Sequence, residues 1–296
     1  MKRNGGGGEQ FFRPEGRKGE ANKMRISITT DFEDDGGPIE PRLAMFADAG
    51  FSHIHWCEHW SRDFLYEDFY TEGVGRLLKR HGLKLLDTHG AQTQSASPLN
   101  PDETCRRRGV RLLENRIRFT ASLGGDCVVI HPGSYSADDP AARKSQWNSL
   151  EKSVMEVART CEDAGVRLAI ENAAGKRPPE FDAFLKKFPP SLLGFCYDSG
   201  HANIAGEPEQ VEIFGDRLIA LHLHDNHGVK DEHALPGDGV VDWKRIAAAL
   251  KACRYGKPVN WELSLRNSGL YNDVAQADFV REAFRRAARF VAEAGL

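Results

Sequence analysis

No stretch of the 296-residue sequence approaches the ~20 consecutive apolar residues that a membrane-spanning helix requires. The N-terminal region also lacks the apolar core of a secretory signal. A cytoplasmic protein with no membrane partner is the expectation. Cysteine is sparse and scattered: Cys57, Cys105, Cys127, Cys161, Cys196 and Cys253 form no CxxC pair, which argues against a zinc ribbon and a dithiol redox motif and favours buried free thiols. No GxGxxG follows the first strand candidate, where Thr30-Asp31-Phe32-Glu33-Asp34 stands instead, and Gly73-Val74-Gly75 falls inside a helical pattern. A nucleotide-binding, doubly wound sheet is thereby disfavoured. A surplus of positive charge is missing as well. The formal charge is −3, and because residues 1–23 hold six basic side chains against three acidic ones, the remainder carries −6. A body of that sign argues against nucleic acid as the partner. Arg106-Arg107-Arg108 lies in a helical pattern, where solvated charge is the default.

What is present is the make-up of a globular enzyme, with 40% apolar and 28% charged residues. Residues 1–22, which include Gly5-Gly6-Gly7-Gly8, read as a flexible leader, and 23–296 as one folded domain. Eight short runs rich in β-branched and aromatic residues (24–30, 51–57, 83–88, 126–131, 166–171, 192–198, 217–223 and 258–263) alternate with amphipathic helical patterns such as Ile39 to Ala49, Asp68 to His81, Asp102 to Leu123, Ala141 to Ala164, Trp243 to Cys253 and Asp273 to Ala294. Several of these patterns end on glycine, at Gly50, Gly82 and Gly124. Eight βα units over this length predict an α/β fold, a single (β/α)8 TIM barrel.

In such a barrel, chemistry sits where the strands end. The strand candidates run into His89, His131, Glu171, Asp198, His222 with His224, and Glu262. Carboxylates and imidazoles crowded at one rim repel one another or lie unsatisfied unless a positive charge sits among them, and a divalent cation supplies it. Glu171, Asp198 and Glu262, with His222 or His224, are the smallest set able to surround an ion. Both histidines fit by parity, because residues two apart on a strand face the same side. The aromatic residues Phe51, Trp56, Trp60, Phe64 and Tyr66 read either as an apolar wall for a ligand or as ordinary packing.

These residues stand within a series of motifs: His131-Pro132-Gly133-Ser134, Glu171-Asn172-Ala173-Ala174-Gly175, Asp198-Ser199-Gly200-His201, His222-Leu223-His224-Asp225, Asp231-Glu232-His233 and Trp261-Glu262. In order and placement the series resembles the xylose-isomerase-like TIM barrels, the superfamily of sugar phosphate isomerases and epimerases, with endonuclease IV a more distant relative. The resemblance implies one Mn, Mg, Co or Zn ion held by Glu171, Asp198, His222 and Glu262. It selects His222 over His224 as the ligand and implies Glu171 and Glu262 as an acid/base pair that moves a proton next to a carbonyl through an enediolate. His201, His224, Trp56 and His89 would then meet a small carbohydrate substrate, and a homo-oligomer is admitted. One position departs: ketose 3-epimerases carry an arginine six residues beyond the metal histidine, where this chain has Gly228. The same proton abstraction serves lyases that dehydrate inososes or eliminate from keto sugars. The second implied reading is a phosphodiesterase with three zinc ions, because His131, Asp231 and His233 complete the ligand set of endonuclease IV.

Overall fold

A computed structural model of the chain describes residues 24–33, 37–132 and 139–296. The leader expected over 1–22, and Gly133 and Ser134 of the His131 motif, lie outside the described residues. The eight strands are β1 (Ile26–Thr29), β2 (His53–Trp56), β3 (Lys84–His89), β4 (Cys127–Ile130), β5 (Arg167–Glu171), β6 (Leu193–Asp198), β7 (Leu218–His222) and β8 (Val259–Trp261). Every pairing between them is parallel, in the order β7-β6-β5-β4-β3-β2-β1-β8. The two ends of this sheet meet just past the strand limits, where Leu223 bridges Trp261 and Glu262 N donates to Leu223 O at 3.1 Å. The barrel is thereby nearly closed, which removes the exposed edges of an open sheet.

The main helices are α1 (Ile39–Ala49), α2 (Asp68–His81), α3 (Glu103–Ser122), α4 (Pro140–Ala164), α5 (Pro179–Lys187), α6 (Ser199–Ala205), α7 (Gln210–Ile213), α8 (Trp243–Ala252) and α9 (Gln276–Ala294). Asp102, Asp139 and Asp242 cap α3, α4 and α8 by accepting the N–H groups of Cys105, Ala142 and Arg245. No helix among the described residues is long and apolar enough to cross a membrane. The six cysteines are free, as their spacing predicts. Arg106 corrects the expectation of solvated charge. It is only 2% exposed, and its guanidinium reaches Glu103 and Glu156 at 2.8 and 2.6 Å, while Arg107 and Arg108 are exposed.

Strand periodicity divides the core into two layers. Val128, Ile130, Leu168, Ile170, Phe195 and Tyr197 pack outward under the helices, while the alternating Cys127, Val129, Ala169 and Cys196 form a separate cluster of smaller side chains. Glu171 and Asp198 continue this second series two residues further along β5 and β6, so strand parity alone aims them into the barrel mouth.

The connection from β3 to α3 crosses the helix surface at Gly109. A Cβ built there would lie 2.2 Å from the carbonyl carbon of Ser97 and 2.3 Å from the nitrogen of Pro98. Backbone cannot yield to a methyl group as a flexible side chain can. Gly109→Ala is expected to destabilise the protein by about 1–3 kcal/mol despite the better helix propensity of alanine, and the denaturant midpoint checks it.

Candidate metal centre

Ligand-type atoms of Glu171, Asp198, His222 and Glu262 all lie within 4.8 Å of one another. His222 Nδ1 is 2.7 Å from Glu262 Oε2 and 3.3 Å from Glu171 Oε1, and all four residues are buried. Hydrogen bonding at this centre is incomplete. Both ring nitrogens of His222, Glu171 Oε2 and Asp198 Oδ2 are buried and make no hydrogen bond. Leaving such atoms unsatisfied costs roughly 1–3 kcal/mol each, and more for charged groups. Asp198 shows how its two oxygens divide the work. Oδ1 caps α6 by accepting His201 N at 2.6 Å and lies 3.1 Å from His224 Nε2, while Oδ2 is left over.

The electrostatics call for positive charge. Burial pushes the Glu171 carboxyl up, but His222, His201 and His131 outweigh it and hold the group well below the usual carboxylate range. Glu262 is likewise held low against burial by His222 and His233. Burial disfavours protonated His201, yet Asp198, Asp231 and Glu171 raise it well above an ordinary histidine. His233 is raised to about 9 against burial by Asp231, Glu262 and Asp198. His89 goes the other way: burial and the neighbouring imidazoles of His131 and His55 lower it to about 3, so it presents a neutral ring. The carboxylates thus recruit protons onto nearby imidazoles. A divalent cation satisfies the same demand, and the unbonded nitrogen and oxygen donors fit one.

Two more groups flank this centre. His89, His131 and Glu171 form one, and His224, Asp231 and His233 the other. Asp231 Oδ2 lies 3.0 Å from His233 Nε2 and 3.3 Å from His201 Nε2, while its buried Oδ1 makes no hydrogen bond. Cys196 joins Glu171 and His222 from one layer below, a neighbour that the strand-end reading does not contain.

Other expected residues fall as follows. His201, His131 and Glu171 line both large cavities of the barrel mouth, and His89, Asp231, His233 and Glu262 line the second. His224 is fully buried and lines neither, its ring stacked on His233 at 4.3 Å. Trp56, expected against substrate, is corrected to a core position, fully buried with its ring 5.8 Å from Phe119. Phe51 and Tyr66 are core as well, and of the five aromatic residues Trp60 lines the mouth, 5.0 Å from His89.

Sequence reading missed the polar joints that hold this rim. Asn172 takes Asp198 N at 2.8 Å and donates to Asp198 O at 2.9 Å, coupling the ends of β5 and β6. Buried Asp225 accepts from Gly237 N, Val241 N and Trp243 Nε1 at 2.8 to 3.0 Å and thereby folds the loop that carries Asp231 and His233. Beneath His222 lies a buried His55–Asp87 pair at 2.7 Å. Asp225 closes the His222-Leu223-His224-Asp225 motif, but these three partners lie more than ten residues away.

A family model described as "Xylose isomerase-like TIM barrel" matches residues 43–294. "Uncharacterized protein y4fM" of Sinorhizobium fredii is 30% identical over 253 residues, 76% of this chain and 80% of that protein. "Probable endonuclease 4" of Mycobacterium leprae is 28% identical over 189 residues, 58% of this chain and 69% of that protein. A crystal structure of D-psicose 3-epimerase in the presence of D-fructose superimposes with a TM-score of 0.73 at 18% identity, covering 92% of this chain and 99% of the other. At that identity the likeness is one of fold.

Gly200 permits the packing around Asp198. A Cβ there would sit 1.9 Å from His224 Cε1. Gly200→Ala is expected to displace the His224 ring from Asp198 and to cost about 1–3 kcal/mol, read from the denaturant midpoint.

Proposed function

The chain belongs to the xylose isomerase-like TIM barrel family, and from that premise and the rim geometry we propose that it is a metal-dependent isomerase or epimerase of a small carbohydrate. The observation that carries the reading is the set of buried, unbonded donor atoms on Glu171, Asp198 and His222, gathered with Glu262 at the mouth of the barrel. These four residues would hold one divalent ion, Mn, Mg, Co or Zn. The chemistry such an ion supplies when bound is Lewis-acid polarisation of the substrate carbonyl, with stabilisation of the negative charge that develops on its oxygen.

Glu171 ends β5 and Glu262 directly follows β8, and both line the cavity. One carboxylate removes the proton next to the carbonyl, and the other returns a proton to the adjacent position or to the opposite face. The neighbouring imidazoles keep both carboxyls ionised, the form in which a carboxylate can take a proton. His201, held through Nδ1 by Asn172 O at 2.9 Å and through Nε2 by Asp231 Oδ2 at 3.3 Å, lines the cavity, and a sugar hydroxyl would reach it by sharing or displacing the Asp231 contact. Beyond the acid/base pair, Trp60 gives the mouth an apolar surface for the sugar ring. Proton removal at the same carbon followed by loss of hydroxide would make the enzyme a lyase.

A second reading has its own observation. Three ligand groups adjoin one another and together draw on His89, His131, Glu171, Asp198, His222, Glu262, His224, Asp231 and His233, with His201 beside Asp231. Three zinc ions there would suit phosphodiester hydrolysis, as the likeness to a probable endonuclease 4 also suggests. The −6 carried beyond residue 23 favours a neutral substrate over a polyanion.

Metal analysis of the purified protein is expected to find one ion per chain; three zincs together with cleavage of an abasic-site oligonucleotide would establish the second reading instead. Stripping the ion with a chelator should lower the melting temperature, since about 2.7 kcal/mol of stabilisation accompanies a ligand at a hundredfold its dissociation constant. Glu262→Gln should cut turnover by about 10²–10⁴ on a sugar substrate with little loss of folding stability. Full turnover in that variant would refute the assigned mechanism.

A further inference from the structure

The mouth of the barrel holds more room than one sugar ring fills. Two cavities of about 600 and 660 Å³ meet at His131, Glu171 and His201, residues that line both. Their linings differ in kind. The one over Glu262, Asp231 and His233 is ionic and includes Arg42, Arg62 and Arg266. The other runs toward the β3–α3 connection and is lined by the amides Gln92, Gln94, Asn100 and Gln146; among its described lining residues, the shared Glu171 is the sole carboxylate and there is no lysine or arginine.

That second chamber is suited to a neutral, hydroxyl-rich group. An amide presents a donor and an acceptor side by side, matching a sugar hydroxyl that also does both. The Gln92 and Gln94 side chains make no hydrogen bond among the described residues, so their amides are open to a ligand. Asn100, by contrast, is already tied to Gln94 O and Asp102 N, which shapes the wall. Among the described lining residues, a phosphate entering here would meet no lysine or arginine, and the His201 imidazole at the boundary is already engaged by Asp231. The wall is also built rather than incidental. Its backbone packs on α3 at Gly109, Thr93 N donates to Ala96 O at 3.0 Å, and Gln92 N donates to Trp60 O at 2.9 Å.

We propose that this chamber is a subsite for a second, uncharged sugar ring, so that the substrate is a keto sugar still glycosidically linked to another ring. The inference rests on the proton-transfer reading for the reacting ring, which sits at Glu171 and Glu262 while its glycosidic partner crosses the His131 and His201 boundary. Binding energy from the non-reacting ring then serves the reaction at the carbonyl ring.

The test compares 3-ketotrehalose with 3-ketoglucose, the same keto ring with and without its glycosidic partner. Proton NMR in D2O follows exchange of the hydrogens next to the carbonyl on the Mn2+-loaded protein, and saturation-transfer NMR reports whether the non-keto ring touches the protein. The expected result is a kcat/KM for exchange about tenfold or more higher on the disaccharide, with saturation of the second ring. Gln92→Ala/Gln94→Ala, a change in a partly exposed loop, should collapse that ratio toward one and remove the saturation. Exchange equal on both sugars, with the second ring unsaturated, would overturn the subsite and leave the proton-transfer reading intact. Saturation of the second ring without exchange on either sugar, lost in the double variant, would keep the subsite and overturn the proton-transfer reading. Neither exchange nor saturation would overturn both.

Discussion

The requirement that buried negative charge be balanced governs this molecule. Glu171, Asp198 and Glu262 are buried at the barrel mouth, where an unpaired carboxylate would be costly. Two aspartates of the rim, Asp198 and Asp231, divide their oxygens between two tasks. Asp198 commits Oδ1 to the α6 cap and leaves Oδ2 without a hydrogen bond; Asp231 commits Oδ2 to His201 and His233 and leaves Oδ1 so. In both, one oxygen fixes the side chain and the other is left as a buried acceptor that would suit a cation. A site preorganised in this way needs little rearrangement to bind one, and its geometry is inherited from the barrel itself.

Much of that arrangement is legible in the sequence because strand periodicity carries it. Short β-branched runs that close on His or an acid place Glu171, Asp198, His222 and Glu262 at one rim, and all eight strand segments appear where the pattern puts them. The same parity, applied to β2, explains why Trp56 fails as a substrate contact. His55 and Cys57 share one face of that strand, so the intervening Trp56 faces the helices and packs on Phe119. It also explains the His55–Asp87 pair, which lies two residues below Cys57 and His89 on neighbouring strands.

The rest was illegible because it depends on partners distant in sequence or on short elements. α5 starts at Pro179 after Pro178, a pattern that suggests a loop but suits the first helical turn. α6 holds Gly200 and spans seven residues, too few for a hydrophobic period to register. Asn172 and Asp225 stand inside the motifs, but nothing in the sequence marks them as joints of the rim. Their importance comes from the backbone N–H groups that the fold brings to them. His224 illustrates the same limit, since parity allowed it at the axis and only the packing of His233 and Gly200 around it shows it to be covered.

Glu171 is where the two chemical readings exclude each other. It belongs to the group with His89 and His131 and also to the group with Asp198, His222 and Glu262. A carboxylate that gives one oxygen to a single cation keeps a second oxygen with which to take a proton. If cations filled both groups, Glu171 would serve as a ligand in each and would be less free to act as a base. On the two proposed readings, occupancy of the His89–His131 position would therefore select between proton transfer and hydrolysis at one and the same residue, and the number of ions bound would distinguish them. The amide-lined chamber adjoining that position bears on the same choice, because a ring packed beside His131 would compete for the space that an ion and its water require.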